Sequence, residues 1–300
     1  MKIIRRCLAA SFILALVGMS RVAPTSAADA PTTARPGWEL IWSDEFSQPG
    51  LPDPARWNYE KGFIRNGELQ YYTVGRKENA RVEDGHLIIE GRRERFDNPE
   101  HRPDGPATSR TGRSNAAFAE YTSASVTTRE RASWTFGRIE VRAKLPTARG
   151  TWPAIWMLGT NMTQVGWPAC GEIDIMEFVG FDPGVIHANI HTKAYNHVMK
   201  TGKGNSTRVP DASEAFHVYA VEWTPQTLTF SVDDNNYFTY TNDGAGNASW
   251  PFDRDHYLIL NLAIGGAWGG QKGVDATAFP QRFEIDYVRI YRAATSPAPR

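Results

Sequence analysis

The chain has 300 residues with 33 basic and 33 acidic side chains, so its formal net charge at pH 7 is zero. This balance argues against a nucleic-acid-binding protein, which would normally present a strongly basic surface. The 10 tryptophans, 11 tyrosines and 14 phenylalanines supply ample apolar mass for one large domain or two smaller ones. A near-neutral, aromatic-rich chain suits an uncharged partner such as a polysaccharide.

The first 30 residues are typical of a secretory signal and a short leader. Basic residues between positions 2 and 6 precede an apolar stretch over residues 7–19, and small residues follow it. That stretch is too short to span a bilayer, and no integral membrane segment is predicted elsewhere. We therefore expect export after cleavage near residues 27–30, and removal of residues 1–27 leaves 29 basic and 33 acidic residues. Cleavage also removes Cys7, so Cys170 has no partner for an intrachain disulfide.

Residues 31–300 have the pattern of a single all-β domain, with short runs of alternating polarity separated by turn signals. The clearest signals, in chain order, are a turn at Asp84 and Gly85, a loop over residues 99–115, an alternating strand over residues 138–145, a hairpin over residues 228–240 and a last strand over residues 283–291. The economical architecture is a sandwich of two antiparallel sheets, whose curvature can provide a long cleft.

The most informative segment is the run GEIDIMEFVG at residues 171–180, which places three carboxylates inside an apolar, β-branched strand. Burying three acids side by side is costly in lost hydration and mutual repulsion, so folding alone gives no reason to keep them. In a regular strand Glu172 and Asp174 share one face while Glu177 points to the other. We predict a β-bulge near Ile175 or Met176 that returns Glu177 to the face of Glu172.

Two carboxyl groups facing a glycosidic bond can hydrolyse it, because one protonates the leaving oxygen while the other attacks the anomeric carbon or activates water. The acidic strand therefore predicts a glycoside hydrolase. The competing interpretation is a solvated acidic edge strand. Apolar residues between and beyond the acids, among them Ile173, Ile175 and Phe178, argue against it.

The run WPACGEIDIMEF resembles the catalytic signature of glycoside hydrolase family 16, in the bulged E-x-D-x-x-E form of laminarinase-type endo-β-1,3-glucanases. Further segments resemble that family in the expected order: WELIWSDEF, NGELQYYT, FGRIEVRAKLP, FHVYAVEWTP, LNLAIGGAWGG and DYVRIYR. The resemblance covers nearly the whole mature chain. It implies a β-jelly-roll sandwich of two curved antiparallel sheets, a concave substrate cleft and a retaining double displacement.

The same resemblance implies a role for each acid. Glu172 is expected to be the nucleophile, and Glu177 the general acid that later acts as a base. Asp174 is expected to hydrogen-bond Glu172 and to help keep the two glutamates in opposite protonation states. No catalytic metal or organic cofactor is implied. We expect a secreted monomer that hydrolyses laminarin-like β-glucan and has this polysaccharide, not a nucleic acid, as its partner.

Candidate sugar contacts lie on both sides of the acidic strand in the sequence. Trp152 and Trp156 are four residues apart in a strand-like run, so they share a face on which indoles can stack against pyranose rings. Trp268 lies in a glycine-rich loop over residues 265–270. Asn66 belongs, by the resemblance, to a sugar-binding segment, where an amide suits sugar hydroxyls.

The strand that follows the acids places His187, Asn189 and His191 on one face. We expect His191 to hydrogen-bond near Glu177 or the substrate. A zinc site made of the two histidines is a poor interpretation, because no third ligand has the spacing of a zinc motif. Cys170 is expected to be a small buried thiol and not a nucleophile.

The resemblance also implies a structural calcium ion on the convex side of the sandwich. Its candidate ligands are Asp286 and backbone oxygens near Glu45 and Gly85, and oxygen ligands of this kind suit calcium. The sequence contains no EF-hand loop, so this prediction depends on the resemblance alone.

Several alternatives stay open. Within the family they are a mixed-linkage β-1,3-1,4-glucanase, an agarase-like galactan hydrolase and a transglycosylase that uses the same intermediate. The bulged motif favours the laminarinase branch, but agarases are bulged too, and subsite shape decides the linkage. A non-catalytic glucan-binding module would lack one or both glutamates, and this chain has both. A purely structural sandwich would leave the acidic strand unexplained.

Overall fold

The computed structural model describes residues 33–104 and 115–294. The predicted signal at residues 1–30 lies outside the described residues, as do most of the predicted loop and the end of the C-terminal tail. Within the described ranges, no helix has both the length and the apolar character needed to cross a membrane.

The described residues form two β-sheets and one short helix, α1 (Met162–Val165). The larger sheet contains ten strands: β1 (Trp38–Asp44), β3 (Gln70–Tyr72), β4 (Ala80–Glu83), β5 (His86–Asp97), β6 (Phe118–Ser123), β8 (Gly137–Lys144), β13 (His217–Trp223), β14 (Thr227–Val232), β15 (Asn235–Thr241) and β17 (Gln281–Ala293). The smaller sheet contains seven: β2 (Asn58–Tyr59), β7 (Ser125–Thr127), β9 (Thr151–Gly159), β10 (Glu172–Glu177), β11 (Val185–His191), β12 (Lys203–Arg208) and β16 (His256–Ile264).

Nearly all strand pairs in the described sheets are antiparallel, as predicted, and the exception is the β3–β6 pair. The larger sheet has the order β15-β14-β13-β8-β17-β5-β6-β3, with β1 beside β17 and β4 beside β5. The smaller sheet has the order β12-β11-β10-β9-β16-β7-β2. The acidic strand β10 is therefore an inner strand, and neighbours on both edges fix its backbone.

The core fills the space between the sheets and is almost entirely apolar. Ile139 and Val141 of the larger sheet point into it, as the alternation over residues 138–145 predicts. Ile173 and Phe178 enter it from the smaller sheet. Full burial of a side chain of this size contributes about 1.5–3 kcal/mol. Cys170 is free and buried, so packing and not a disulfide stabilises the part of the chain that the structure describes.

The predicted turns lie where the sequence indicated. Asp84 and Gly85 join β4 to β5 with φ of 51° and 79°, and Asp233 and Asp234 join β14 to β15 with φ of 49° and 63°. Positive φ at both central residues matches the right-handed twist of a hairpin. The last strand extends two residues further than predicted at each end, where it pairs with β5 and β1.

The burial of two further positions is notable. Trp57 and Trp223 are buried in the core, whereas Trp38 is only half-buried at the start of β1. Arg138 falls on the predicted solvent side of β8, yet it is buried as well. Its guanidinium forms ion pairs with Glu140 on its own strand at 2.9 Å, with Glu222 on β13 and with Asp234 in the β14–β15 turn.

Candidate active site

The acidic strand contains the predicted bulge. Pairing between β10 and β9 leaves Ile175 as the extra residue, and its side chain is buried in the core. On the other edge Glu172 lies opposite His191 and Glu177 lies opposite His187. These histidines are four residues apart on a regular strand, so they and both glutamates share a face. We call the face that carries Glu172, Asp174 and Glu177 the acidic face.

Glu172 is held through one oxygen and faces an imidazole with the other. Trp167 Nε1 donates a hydrogen bond to Glu172 Oε2 at 2.7 Å, while His191 Nε2 lies 3.8 Å from Oε1. Trp167 lies between α1 and β10, and its ring also packs against the rings of His191 and exposed His197, with centroids 5.8 and 5.3 Å away. The indole therefore fixes the orientation of the carboxyl group.

Asp174 is buried between the glutamates along the strand, with 2% of its surface exposed. The charges of Asp174 and Glu172 act on each other, and that of Asp174 raises the pKa of Glu172. Asp174 Oδ2 lies 3.3 Å from His191 Nε2, but among the described residues it has no hydrogen-bond partner of good geometry. Asp174 thus links Glu172 to His191.

Glu177 accepts one hydrogen bond on each oxygen. Trp152 Nε1 on β9 donates to Oε1 at 3.1 Å, and Asn189 Nδ2 on β11 donates to Oε2 at 2.9 Å. The hydrogen bond expected for His191 near Glu177 is not formed. The strand register places His191 opposite Glu172 instead, and Asn189 takes the position beside Glu177.

Burial dominates the electrostatics of the three acids. It raises the pKa of Glu172 well above its ordinary value, and the neighbouring charge of Asp174 raises it further. Burial and then the charge of Glu177 raise the pKa of Asp174 in the same way. The pKa of Glu177 is raised by burial, against the opposing effects of His191 and its two hydrogen-bond donors. Because like charges repel in a region of low dielectric constant, ionisation of one acid makes ionisation of its neighbours less favourable.

An aromatic group lies beside Glu177. The Trp268 ring, in the loop after β16, packs edge-on against Trp152 and His187, with centroids 5.6 and 4.9 Å away. A Cβ added at Gly269 would lie 2.8 Å from Trp152 Cβ, so this loop position admits only glycine. Trp152 and Trp268 are both half-buried, which leaves part of each indole available to a sugar ring.

Trp156 lies on the acidic face, as predicted, but it is only 6% exposed. Its Nε1 donates to Asn261 Oδ1 at 2.7 Å, and the Arg65 guanidinium covers its ring at 4.8 Å from the centroid. Arg65 is in turn paired with Glu60. The predicted stacking of Trp156 on a sugar is therefore corrected, because an arginine already occupies the indole face. Trp156 instead positions Asn261 and Arg65.

Asn66 supports the loop that carries Trp268. Its backbone carbonyl accepts a hydrogen bond from the Ala267 N–H at 2.8 Å, and its Nδ2 donates to Glu68 Oε1 at 3.2 Å. From Glu68 a buried chain of hydrogen bonds continues through the Tyr72 hydroxyl to the Asn261 amide, at 3.3 and 3.0 Å. The predicted sugar-binding segment is thereby joined to the surroundings of Trp156.

Comparison with known proteins agrees with this geometry. The sequence matches the model of the glycosyl hydrolases family 16 over residues 70–289. The chain belongs to this family. It is 52% identical over 266 residues to a beta-glucanase of Rhodothermus marinus, and the match covers 86% of each chain.

Solved structures of family 16 confirm the jelly-roll sandwich. The laminarinase from Rhodothermus marinus superposes with a TM-score of 0.77 at 51% identity, over 86% of this chain and 98% of that one. A family 16 non-specific endo-β-1,3(4)-glucanase superposes with a TM-score of 0.76 at 46% identity, over 88% of this chain and 95% of that one.

The calcium candidates of this family 16 chain lie in the larger sheet and its connections. Asp286 is in β17, Gly85 in the β4–β5 turn, and Glu45 directly follows β1. The Asp286 carboxylate accepts a hydrogen bond from Arg142 at 2.5 Å, and Glu45 pairs with Arg289 at 2.8 Å. Calcium takes six to eight oxygen ligands. Arg142 occupies one oxygen of Asp286, and the calcium site stays a prediction.

Sequence reasoning missed Trp167 as a contact of Glu172. This residue lies outside any strand, so no alternation marks it, and the only signal is a Trp-Pro pair just before the acidic run. Asn189 was visible as one of three alternating polar residues, together with His187 and His191. Only the bulge decides which of the three reaches Glu177.

Proposed function

We propose that this family 16 protein is an endo-β-1,3-glucanase that cleaves laminarin-like β-glucans within the chain and retains the anomeric configuration. The observation that carries the proposal is the bulge-aligned pair of glutamates, each held by its own indole, with Asp174 between them. The likeness to a laminarinase at 51% identity supports the substrate class.

In the first proposed step, Glu172 attacks the anomeric carbon while Glu177 protonates the leaving oxygen. The Trp167 indole stabilises the charged form of Glu172 and leaves Oε1 for the attack. Burial favours the protonated form of Glu177, as a general acid requires. The products of this step are a glycosyl ester on Glu172 and a free sugar hydroxyl.

In the second proposed step, Glu177 takes a proton from water while the water oxygen attacks the anomeric carbon. The bond between that carbon and Glu172 breaks, which frees the Glu172 carboxylate and leaves the sugar with its β configuration. The Asn189 and Trp152 donors stabilise Glu177 while it is charged. The charge of Asp174 disfavours a second negative charge on Glu172 beside it. This chemistry requires two carboxyl groups and water, and no cofactor.

Sugar binding is proposed to involve Trp152, Trp268 and His191, which surround the glutamates, while Asn66 supports the loop that carries Trp268. A second candidate activity is the cleavage of mixed-linkage glucan. The likeness to a non-specific endo-β-1,3(4)-glucanase at 46% identity favours it over agarase or transglycosylase activity.

The test is time-resolved product analysis on laminarin, mixed-linkage glucan, agarose and xyloglucan, with Glu172→Gln as the inactive control. We expect a ladder of oligosaccharides from laminarin, and a ladder from mixed-linkage glucan as well would support the second activity. Binding without cleavage of any polymer would overturn the enzyme proposal.

The roles of the glutamates have their own test. Glu177→Ala should be rescued by azide on an activated aryl β-glycoside, giving a β-glycosyl azide. An α-glycosyl azide would reverse the assignment of nucleophile and acid.

We further propose that residues 31–300 form one exported catalytic domain that acts as a monomer. The basic, apolar and small-residue order of residues 1–30 supports export. Sequencing the N-terminus of the protein from culture medium, and measuring its mass in solution, would test these points.

A further inference from the structure

Three ligand-type atoms converge on the acidic face. A carboxylate oxygen of Glu172, one of Asp174 and a ring nitrogen of His191 all lie within 4.8 Å of one another. His191 Nε2 is 3.3 Å from Asp174 Oδ2 and 3.8 Å from Glu172 Oε1. Two ligands bound to zinc at 2.0–2.1 Å in tetrahedral geometry are about 3.3–3.4 Å apart. The distance between His191 Nε2 and Asp174 Oδ2 matches this value, and the distance from His191 Nε2 to Glu172 Oε1 is longer.

One of the atoms that point into this space lacks a hydrogen-bond partner. Among the described residues, Asp174 Oδ2 has none although the side chain is 2% exposed, and His191 Nε2 lies 3.3 Å from it. The other ring nitrogen of His191, Nδ1, is also buried without a partner in the described part of the chain. A buried polar atom left in this state is costly, and an added ligand at Asp174 Oδ2 would remove part of that cost.

The surroundings hold the three groups in place. Glu172 and Asp174 are two residues apart on β10, and His191 is directly opposite Glu172 on β11, so two paired strands fix their backbones. Trp167 binds the outer oxygen of Glu172 and leaves Oε1 directed at His191. Hydrogen bonds to the second oxygen of a ligating carboxylate orient metal ligands in the same way.

We propose that Glu172, Asp174 and His191 form a binding site for a first-row divalent transition-metal ion, represented here by zinc, and that the ion and glucan exclude each other. Two carboxylates and one imidazole suit such an ion, whereas calcium and magnesium require more oxygen ligands. Linear spacing does not reveal the site, because its ligands come from two strands. The binding part of this proposal is independent of the proposed glucanase activity, and the exclusion part rests on it.

The direct test is calorimetric titration of zinc chloride into the tag-free protein at neutral pH. We expect one zinc ion per chain, no comparable binding of calcium or magnesium, and at least about tenfold weaker zinc binding in Asp174→Asn and in His191→Asn. Thermal melts without metal would show that the variants fold. Unchanged zinc affinity in folded Asp174→Asn and His191→Asn would overturn the site.

A matched control lies elsewhere on the chain. His217 faces Asp211 and Asp233 at 3.2 and 2.6 Å, so it forms another histidine–carboxylate group, one whose acids are exposed. His217→Asn should bind zinc with the affinity of the parent chain. Loss of zinc binding in this variant would assign the ion to the surface group and overturn the proposal.

Enzyme kinetics in the presence of zinc test the proposal that zinc and glucan exclude each other. Zinc should raise the KM for a soluble laminari-oligosaccharide without lowering kcat, and a chelator should restore the starting rate. A fall in kcat at unchanged KM would overturn exclusion. If zinc binds as expected but no β-glucan is cleaved, the metal site stands and the proposed activity fails. If β-glucan is cleaved but zinc does not bind, the activity stands and the metal site fails.

Discussion

Trp167→Phe should remove one hydrogen bond to Glu172 and change little else. A phenyl ring keeps the aromatic contacts with His191 and His197, whereas the indole N–H that lies 2.7 Å from Glu172 Oε2 is lost. That hydrogen bond lowers the pKa of Glu172 against the effect of burial. We therefore expect the pKa of Glu172 to rise further in this variant.

The size of the shift follows from the type of bond. A hydrogen bond to a charged group contributes about 1.5–3 kcal/mol, which corresponds to about one to two pKa units. The proposed nucleophile must be ionised, so the acidic limb of kcat/KM against pH should move upward by about one to two units. At a pH below that limb, kcat/KM should fall by about 10- to 100-fold.

Trp152→Phe is the matched control, because it removes the 3.1 Å hydrogen bond to Glu177, the proposed acid. A higher pKa keeps Glu177 protonated to a higher pH, so this variant should move the basic limb of kcat/KM against pH upward instead. Since the three acids titrate together, the difference between the two variants is the informative quantity. The assay is the pH profile of kcat/KM on a soluble laminari-oligosaccharide. If Trp167→Phe shifts the basic limb, or neither limb, the assigned roles are refuted.

Three other substitutions test the surroundings of the site. Asp174→Asn should raise the melting temperature most at mildly alkaline pH. The pKa of Asp174 is raised in the folded state, so the contribution of its carboxyl group to folding stability is favourable below about pH 4. That contribution is lost as the pH rises through the folded-state pKa. An equal rise in melting temperature at acidic and alkaline pH would contradict this. Arg65→Met should lower the free energy of unfolding in urea by about 1–3 kcal/mol, because buried Glu68 loses the cation that lowers its pKa; an unchanged urea midpoint would count against it. Gly180→Ala should reduce folded yield, since its Cβ would lie 1.9 Å from a backbone carbonyl oxygen, whereas Gly202→Ala, with no atom within 4 Å, should fold normally.

The sequence predicts those features of this protein that depend on local patterns. The alternation over residues 138–145, the paired aspartates of the β14–β15 turn and the odd spacing of Glu177 each carry their signal within a few residues. Contacts between distant segments carry no such signal. Trp156 does share a face with Trp152, but its burial is decided by Arg65, which is about ninety positions earlier. In the same way, the position of His191 depends on strand register across the bulge.

Removal of Ile175, the bulge residue, would shorten the acidic strand without changing the direction in which its other side chains point. Without it, Glu172, Asp174 and Glu177 would alternate strictly with apolar residues, and all three would still occupy the acidic face. Deleting Ile173 instead would turn Glu172 into the core. Strand length can therefore change by one residue at the bulge and keep the catalytic groups together, while the same change two positions earlier would bury a charge between the sheets.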